Sequence, residues 1–108
     1  MVSKAVTIDF ERTARVFHAL SDPIRLRVVD LLRGGERCVC DLTGTLAMAQ
    51  SKLSFHLKGL KEVGLVLDRK EGRWVYYRLN PERVAEVAGV LTDCCAPGRE
   101  WLGSGCCL

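Results

Sequence analysis

The feature that most constrains the fold is a change of hydrophobic period at Gly64. Before this glycine, Leu53, Leu57 and Leu60 recur at positions i, i+4 and i+7, which is the spacing of one helix face. The pattern predicts a helix over residues 50–63, with the glycine as its C-terminal cap. After the glycine, apolar and polar residues alternate, which is typical of a half-buried strand. A helix followed directly by strands therefore lies at the centre of the chain.

Two strands are predicted downstream of this helix. Residues 65–70 alternate with period two, and residues 74–77 are rich in aromatic and β-branched strand formers. Glu71 and Gly72 lie between the two runs, where they predict a hairpin turn. This part of the chain should therefore form a small β-hairpin.

Four further helices are predicted from caps and apolar spacing. They span Asp9 to Leu20, Pro23 (capped by Asp22) to Arg33, residues 36–38 to the residue before Met48, and Pro81 (capped by Asn80) to about residue 92. The residues expected to face the core are Phe10, Ala14, Phe17 and Leu20 in the first helix, Ile24, Val28, Leu31 and Leu32 in the second, Val39, Leu42 and Leu46 in the third, and Val84, Val87, Ala88 and Leu91 in the last.

These elements predict a mainly α fold with a small β-hairpin in the order ααααββα. The third and fourth helices are separated by a tight turn and precede the hairpin, which is typical of a winged helix-turn-helix. At 108 residues, 48% of them hydrophobic, the chain has material for one modest core. We expect a domain over residues 1–93 and a cysteine-containing tail over residues 94–108.

The outer face of the helix over residues 50–63, which we call the recognition helix, mixes hydroxyls, cations and one aromatic ring. Short donors near its N-terminus would suit base edges and phosphates in the major groove, and a phenylalanine would suit a thymine methyl. An ordinary solvated helix face is the alternative interpretation. The predicted DNA-contacting residues are Gln50, Ser51, Lys52, Ser54, Phe55 and Lys58, joined by Arg73 of the hairpin.

Two neighbouring features bear on this interpretation. The hairpin carries Arg69 and Lys70 in addition to Arg73, and these three cations would suit phosphate contacts. His56 lies to one side of the leucine stripe, where a packed or capping histidine is the expected role, so we assign it no metal. Arg25 is expected to lie outside, on the exposed face of the second helix.

Charge and targeting signals narrow the class of protein only modestly. The net charge of +3 permits a polyanionic partner without requiring one. The first residues lack a signal-peptide core, and no run approaches the length of a membrane span, so we expect a soluble cytoplasmic protein without a membrane partner. Six cysteines in a reducing compartment favour metal ligands or redox thiols over a disulfide framework.

The segments LSDPIRLRVVDLL, ERCVCDL, AQSKLSFHLKGLKEVGLV and DRKEGRWVYYRL resemble the ArsR/SmtB repressors, in order and over about residues 10 to 95. The resemblance implies a homodimer built on the first and last helices, which blocks a promoter on double-stranded operator DNA until an inducer binds. It also implies that the CVCDL segment is the inducer site, and that the chain is a repressor and not an enzyme.

Cys38 and Cys40 would converge at the start of the third helix only if its first turn were distorted, because positions i and i+2 diverge in an ideal helix. Further candidate ligands are Cys94 and Cys95 after the last helix, and Cys106 and Cys107 at the end of the tail. Soft thiolates suit As(III) or Sb(III), with Cd(II) or Pb(II) as alternatives.

Two departures from the family's patterns limit the ligand set. Thr43 occupies the position where some arsenite sensors carry a further cysteine, so a third ligand must come from elsewhere. Residues 81–92 contain no histidine, which argues against the zinc site that some relatives hold on their last helix.

The expected mechanism is that two recognition helices enter successive major grooves and that ligation of the thiols shifts the third helix, or the dimer-forming last helix, out of register. A thiol redox switch on the same fold is a second hypothesis. A purely structural zinc module is a third, although the usual C-x₂-C spacing is missing. A thiol enzyme using His18 or His56 is the least favoured, because no nucleophile, acid and base are grouped by a recognisable spacing.

Overall fold

The computed structural model describes residues 9–94. Five helices and a three-stranded antiparallel sheet make up this part of the chain. The elements are α1 (Phe10–Ala19), α2 (Pro23–Leu32), β1 (Arg37–Cys38), α3 (Val39–Leu46), α4 (Gln50–Glu62), β2 (Val66–Glu71), β3 (Trp74–Leu79) and α5 (Pro81–Cys94). The predicted fold class is confirmed, with one strand more than expected. None of the helices described is long and apolar enough to cross a bilayer.

Local capping explains where several helices begin. Asp22 accepts a hydrogen bond from the backbone N–H of Ile24 at 2.7 Å, and Pro23 occupies the first turn of α2. Asn80 accepts from the backbone N–H of Glu82 at 3.2 Å, directly before α5. Both predicted caps are confirmed. Such bonds satisfy backbone donors that have no partner within the helix.

The hairpin forms the wing, β2 and β3, with Glu71 paired to Trp74. Its turn is Gly72-Arg73, one residue later than predicted, because Glu71 still belongs to the strand. Gly72 has a φ of 63°, a left-handed conformation that a residue with a Cβ rarely adopts at this position of a tight turn.

The additional strand β1 corrects the prediction that α3 begins at residues 36–38. Arg37 pairs with Tyr77 and Cys38 with Tyr76, so the sheet has the order β1-β3-β2. The free edge of β3 supplies hydrogen-bond partners that keep these two residues extended. The helix begins only at Val39.

The core lies between the four N-terminal helices and the base of the wing. The leucine stripe of α4 is confirmed, since its three leucines are essentially inaccessible to solvent. The largest fully buried side chains are Val16, Val28, Leu32, Leu42, Leu53, Leu57, Leu60 and Val66. Because α4 lends its inner face to this core, its opposite face is held outward.

The predicted inward faces of α1 and α5 are largely wrong. In α1, Phe10 is 71% exposed, whereas Val16 on a neighbouring stripe is inaccessible. Among residues 81–93 of α5, whose burial the structure describes, only Val87 is buried, and Leu91 is 60% exposed. The side chains expected inside but found exposed are Phe10, Ala14, Phe17, Val84, Ala88 and Leu91. In α1 the protomer's own core takes the neighbouring stripe of Val16, and in α5 it takes only one edge of the predicted stripe, at Val87. Most of the predicted stripe of each helix remains on the surface.

Candidate nucleic-acid interface and thiol pair

The outer face of α4 is fully presented to solvent. Its N-cap residue, Ala49, makes no side-chain capping bond, so the first backbone N–H groups of the helix keep no partner from a cap. A helix N-terminus of this kind favours a phosphate oxygen. The six predicted DNA-contacting residues of this helix are all exposed: Gln50, Ser51, Lys52, Ser54, Phe55 and Lys58.

Phe55 is the unusual member of this face, because 64% of a large apolar side chain is exposed. A single exposed apolar side chain needs no special explanation, but this ring lies among the exposed polar residues Ser51, Lys52, Ser54 and Lys58. Its nearest packing partners are its neighbour His56, ring to ring at 5.4 Å, and the guanidinium of Arg25 at 5.5 Å from the ring centroid.

His56 is packed, as expected, with only 6% of its surface exposed. Its Nδ1 accepts a hydrogen bond from Nε of Arg25 at 3.1 Å. This arginine was expected on the outside of α2, but it is half-buried and lies across α4. The prediction failed because a residue from another helix supplies its partner.

The cations of the wing divide into two groups. Arg69 donates two hydrogen bonds to Glu36, from Nη2 at 2.7 Å and from Nε at 3.1 Å, and a third to Glu71 at 2.9 Å. These bonds raise the pKa of Arg69 further above its ordinary value and lower the pKa of Glu36. Arg69 therefore ties the wing to the segment before β1, which corrects its assignment to phosphate. Lys70 and Arg73 are exposed and form no ion pair within residues 9–94.

Cys38 and Cys40 come together without any distortion of the helix. Cys38 is the N-cap of α3, with extended backbone angles (φ −74°, ψ 147°), and its sulfur accepts from the backbone N–H of Cys40 at 3.3 Å. The two sulfur atoms are 2.6 Å apart. The expected divergence of positions i and i+2 does not arise because Cys38 precedes the helix and belongs to β1.

The two thiols differ in environment. Cys38 is 7% exposed, whereas Cys40 lies on the exposed side of the pair. The hydrogen bond to the Cys38 sulfur stabilises the neutral thiol of Cys40 and raises the pKa of Cys40 above its usual value, with desolvation acting in the same direction. Cys40 is therefore less often a thiolate at neutral pH than an isolated cysteine.

We predict that Cys40 reacts slowly with iodoacetamide at pH 8 and that Cys38→Ala speeds this reaction. The reactive species is the thiolate, so the raised pKa of Cys40 lowers its reaction rate below that of an isolated cysteine. Removal of the partner sulfur should restore the rate of an isolated cysteine. Mass spectrometry of the Cys40 peptide over time, from pH 7 to pH 10, would measure both rates. Thr43→Ser is the matched control, and it should leave the alkylation rate of Cys40 unchanged. Equal rates with and without Cys38 would contradict the prediction.

A cavity of about 270 Å³ adjoins the thiol pair, and sequence reasoning did not predict it. It is lined by both cysteines, by Gln50 and Ser54 of α4, and by Arg73 and Trp74 of the wing, among others. Three of these residues were predicted to contact DNA. The thiols therefore lie beside the N-terminal turn of the recognition helix and the tip of the wing. No local pattern could indicate this, because the cavity forms where three elements meet.

The described residues bring no third donor to this pair. Within the described range 9–94, no cluster of three or more His, Cys, Asp or Glu side chains could hold a metal ion. Cys94 is the last residue of α5, and the predicted ligands Cys95, Cys106 and Cys107 lie outside the described residues. Apart from Cys94, which α5 includes, the tail predicted over residues 94–108 lies there as well.

Comparisons with known proteins identify the family. The family model described as "Bacterial regulatory protein, arsR family" matches residues 22–67. The arsenical resistance operon repressor of Escherichia coli is 48% identical over 80 residues, covering 73% of this chain and 68% of the relative. The repressor of the same name from Bacillus subtilis is 43% identical over 93 residues, covering 83% and 86%.

Solved structures are similar as well. The solution structure of a homodimeric winged helix-turn-helix DNA-binding domain from Mycobacterium bovis, described as a possible ArsR-family transcriptional regulator, superposes with a TM-score of 0.66 at 31% identity. The match covers 91% of this chain and 98% of the other. The sequence matches and the shared winged helix-turn-helix thus lead to one conclusion: the chain belongs to the ArsR family of bacterial transcriptional regulators.

Proposed function

We propose that the protein is a homodimeric repressor that leaves its operator DNA when Cys38 and Cys40 bind a trivalent arsenic species. The observation that carries this proposal is the position of the thiol pair. Its two sulfurs are 2.6 Å apart and share a cavity with α4 and the wing. A ligand held there would contact the DNA-facing parts of the fold directly.

In the DNA-bound state, α4 enters the major groove with its N-terminal turn foremost. Gln50, Ser51 and Ser54 offer short polar groups to base edges, and Phe55 offers its ring to a thymine methyl. Lys52, Lys58 and Arg73 contact phosphates, which fixes the register of the protein on the duplex. All of these side chains are exposed, and the cations among them form no ion pair inside the described range.

The dimer forms through the apolar side chains that α1 and α5 leave on the surface. Phe10, Phe17 and Leu91 are between 36% and 71% exposed, which is a poor arrangement for an isolated protomer. An ion pair between Arg12 and Glu86 joins the two helices within one protomer. The similar Mycobacterium bovis domain is a homodimer. Twofold pairing would place two copies of α4 about 34 Å apart, in successive major grooves.

Two thiols that already converge are a suitable donor set for a soft, thiophilic ion. We infer As(III) or Sb(III) as the inducer, with Cd(II) and Pb(II) as alternatives, because thiolate sulfur favours such ions over hard cations. Each sulfur–arsenic bond replaces a hydroxyl on the arsenic, which leaves as water together with the thiol proton. We propose that a third sulfur comes from Cys94, Cys95, Cys106 or Cys107.

Release follows from what the two cysteines do in the ligand-free protein. Cys38 caps α3 through its sulfur, and α3 packs on α4 through the buried side chain of Leu42. Drawing both sulfurs toward an ion changes this cap and the cavity wall formed by Gln50 and Ser54. A ligand must favour the released state by roughly 5 kcal/mol to reverse the equilibrium, which metal–thiolate bonds can supply.

A thiol redox switch is the second candidate, and the same close pair of sulfurs favours it. Oxidation would join the two sulfurs, with two electrons passing to a peroxide that is reduced to water. Counting free thiols separates the two functions, because release by arsenite under reducing conditions leaves no disulfide. For either function we place the repressor in the cytoplasm, where thiols remain reduced and promoters are accessible.

The test uses the full chain in its reduced form with a fluorescein-labelled duplex from the promoter of its own gene. We expect the anisotropy to rise on binding and to fall when arsenite or antimonite is added, whereas Mg²⁺ at the same concentration leaves the complex intact. The complex should also weaken steeply with salt, since phosphate contacts release counterions. A reduced protein that ignores the duplex, or that holds it equally well in saturating arsenite, would refute the proposed function.

A further inference from the structure

Arg25 makes an unusual set of contacts for an arginine in the first turns of a helix. From α2 its guanidinium reaches across to α4, where Nε donates to Nδ1 of His56 at 3.1 Å. Nη1 lies 3.5 Å from the carbonyl oxygen of Ala19 at the end of α1. One side chain therefore connects three helices at the level of the recognition helix.

Gly59 makes this close approach possible. A Cβ at this position would lie 2.6 to 2.7 Å from three guanidinium atoms of Arg25, which is closer than any real contact. The guanidinium is therefore seated against the bare backbone of α4, one turn after Phe55. This explains a glycine in the middle of a helix, where it lowers helix propensity relative to alanine.

The contacts of Arg25 include no ion pair within residues 9–94, and its firmest partner is Nδ1 of His56. The guanidinium carbon lies 5.5 Å from the centroid of the Phe55 ring, a distance at which a cation and a ring attract. Arg25 thus lies over the ring of the one large apolar side chain on the predicted DNA-contacting face.

We propose that Arg25 is a positioning residue for DNA recognition. Seated on Gly59, it sets the rotation of α4 and the placement of the Phe55 ring, and it contacts no phosphate itself. This inference rests on the proposed role of α4 in the major groove. It assigns a DNA-recognition role to a half-buried residue that lies outside both the recognition helix and the wing.

The first test is Gly59→Ala, whose added methyl group displaces the guanidinium. We expect operator affinity to fall about tenfold, an effect the size of one lost base contact. The midpoint of thermal unfolding should stay the same or rise, because alanine favours the helix. Gly44→Ala in α3 is the matched control, since a Cβ there meets nothing within 4 Å, and it should leave affinity unchanged.

The second test separates positioning from a phosphate contact. Arg25→Lys keeps the charge but cannot span His56 and Gly59, so we expect the same loss of about tenfold in affinity. Arg25→Ala removes the charge, so its slope of log affinity against log salt should still match that of the wild type, whereas a lost phosphate contact would reduce the slope by about 0.9. In an Arg25→Ala background, Gly59→Ala should cost nothing further, because the clash has gone.

Lys52→Ala distinguishes failure of this inference from failure of the proposed function. If it weakens operator binding while Gly59→Ala and Arg25→Lys bind as the wild type does, the positioning role is wrong and α4 still contacts DNA. A near-normal Arg25→Lys together with a reduced salt slope for Arg25→Ala would likewise overturn it in favour of a phosphate contact. If none of the variants, Lys52→Ala included, alters binding, α4 is not the recognition helix, and both proposals fall.

Discussion

Protein carrying Cys40→Ser should bind the promoter duplex as tightly as the wild type and should stay bound when arsenite is added. Cys40 is exposed, and its side chain supports no part of the core, so the fold and the face of α4 are unaffected. A hydroxyl is a poor ligand for a thiophilic ion, and loss of one of two converging sulfurs removes the chelate. We expect the arsenite concentration for half-release to rise at least about 100-fold.

Anisotropy titrations under reducing conditions would measure this shift, with Cys38→Ser tested in parallel. Cys38→Ser should also stay bound to DNA when arsenite is added, although Cys38 is buried and its loss also affects the cap of α3. Thr43 lines the same cavity, and Thr43→Ser keeps the hydroxyl, so this variant serves as the matched control. Cys94→Ser reports whether the third sulfur comes from the end of α5. Wild-type release in both the Cys38 and Cys40 variants would rule out this pair as the inducer site.

The second large effect is expected when charge is placed on the exposed stripes of α1 and α5. Phe10→Asp combined with Leu91→Asp should convert the dimer into monomers, because each carboxylate would be buried without a partner in the interface. Both side chains are more than half exposed in the protomer, so the fold should survive. The second recognition helix then no longer binds at high effective concentration, and operator affinity should fall about 10² to 10⁴-fold.

Sedimentation velocity would give the oligomeric state and anisotropy the affinity. Leu26→Asp is the matched control, since Leu26 is 52% exposed on α2 and lies on neither of the two stripes. That variant should remain dimeric. A double variant that still sediments as a dimer would place the interface elsewhere on the protomer.

Much of the site could be predicted because its signals are local. The exposed face of α4 follows from a leucine stripe on the opposite side of the same helix, and the wing follows from a change of period and a turn glycine. The proximity of Cys38 and Cys40 follows from their separation by one residue. Their easy convergence did not follow, because it depends on β1, which exists only where β3 offers its edge.

Contacts between distant residues explain most of the errors. Arg69 looked like a phosphate ligand, but Glu36, 33 residues away, holds it through two hydrogen bonds. Arg25 looked like a surface residue, but His56, 31 residues away, accepts its Nε–H. Both residues are arginines, which are common on DNA-binding surfaces, and no local sequence pattern reveals the partner of either.

By itself, the sequence determined the number and order of the helices, the N-caps of α2 and α5, the wing and the outward face of α4, since backbone geometry repeats these patterns within a few residues. Only the tertiary structure decided which stripe of α1 and of α5 enters the protomer's own core, which cations are paired, and that the thiols share a cavity with α4 and the wing. The physical reason is that burial and pairing depend on partners brought together by packing, and an apolar stripe has the same spacing whether it faces its own core or a second protomer.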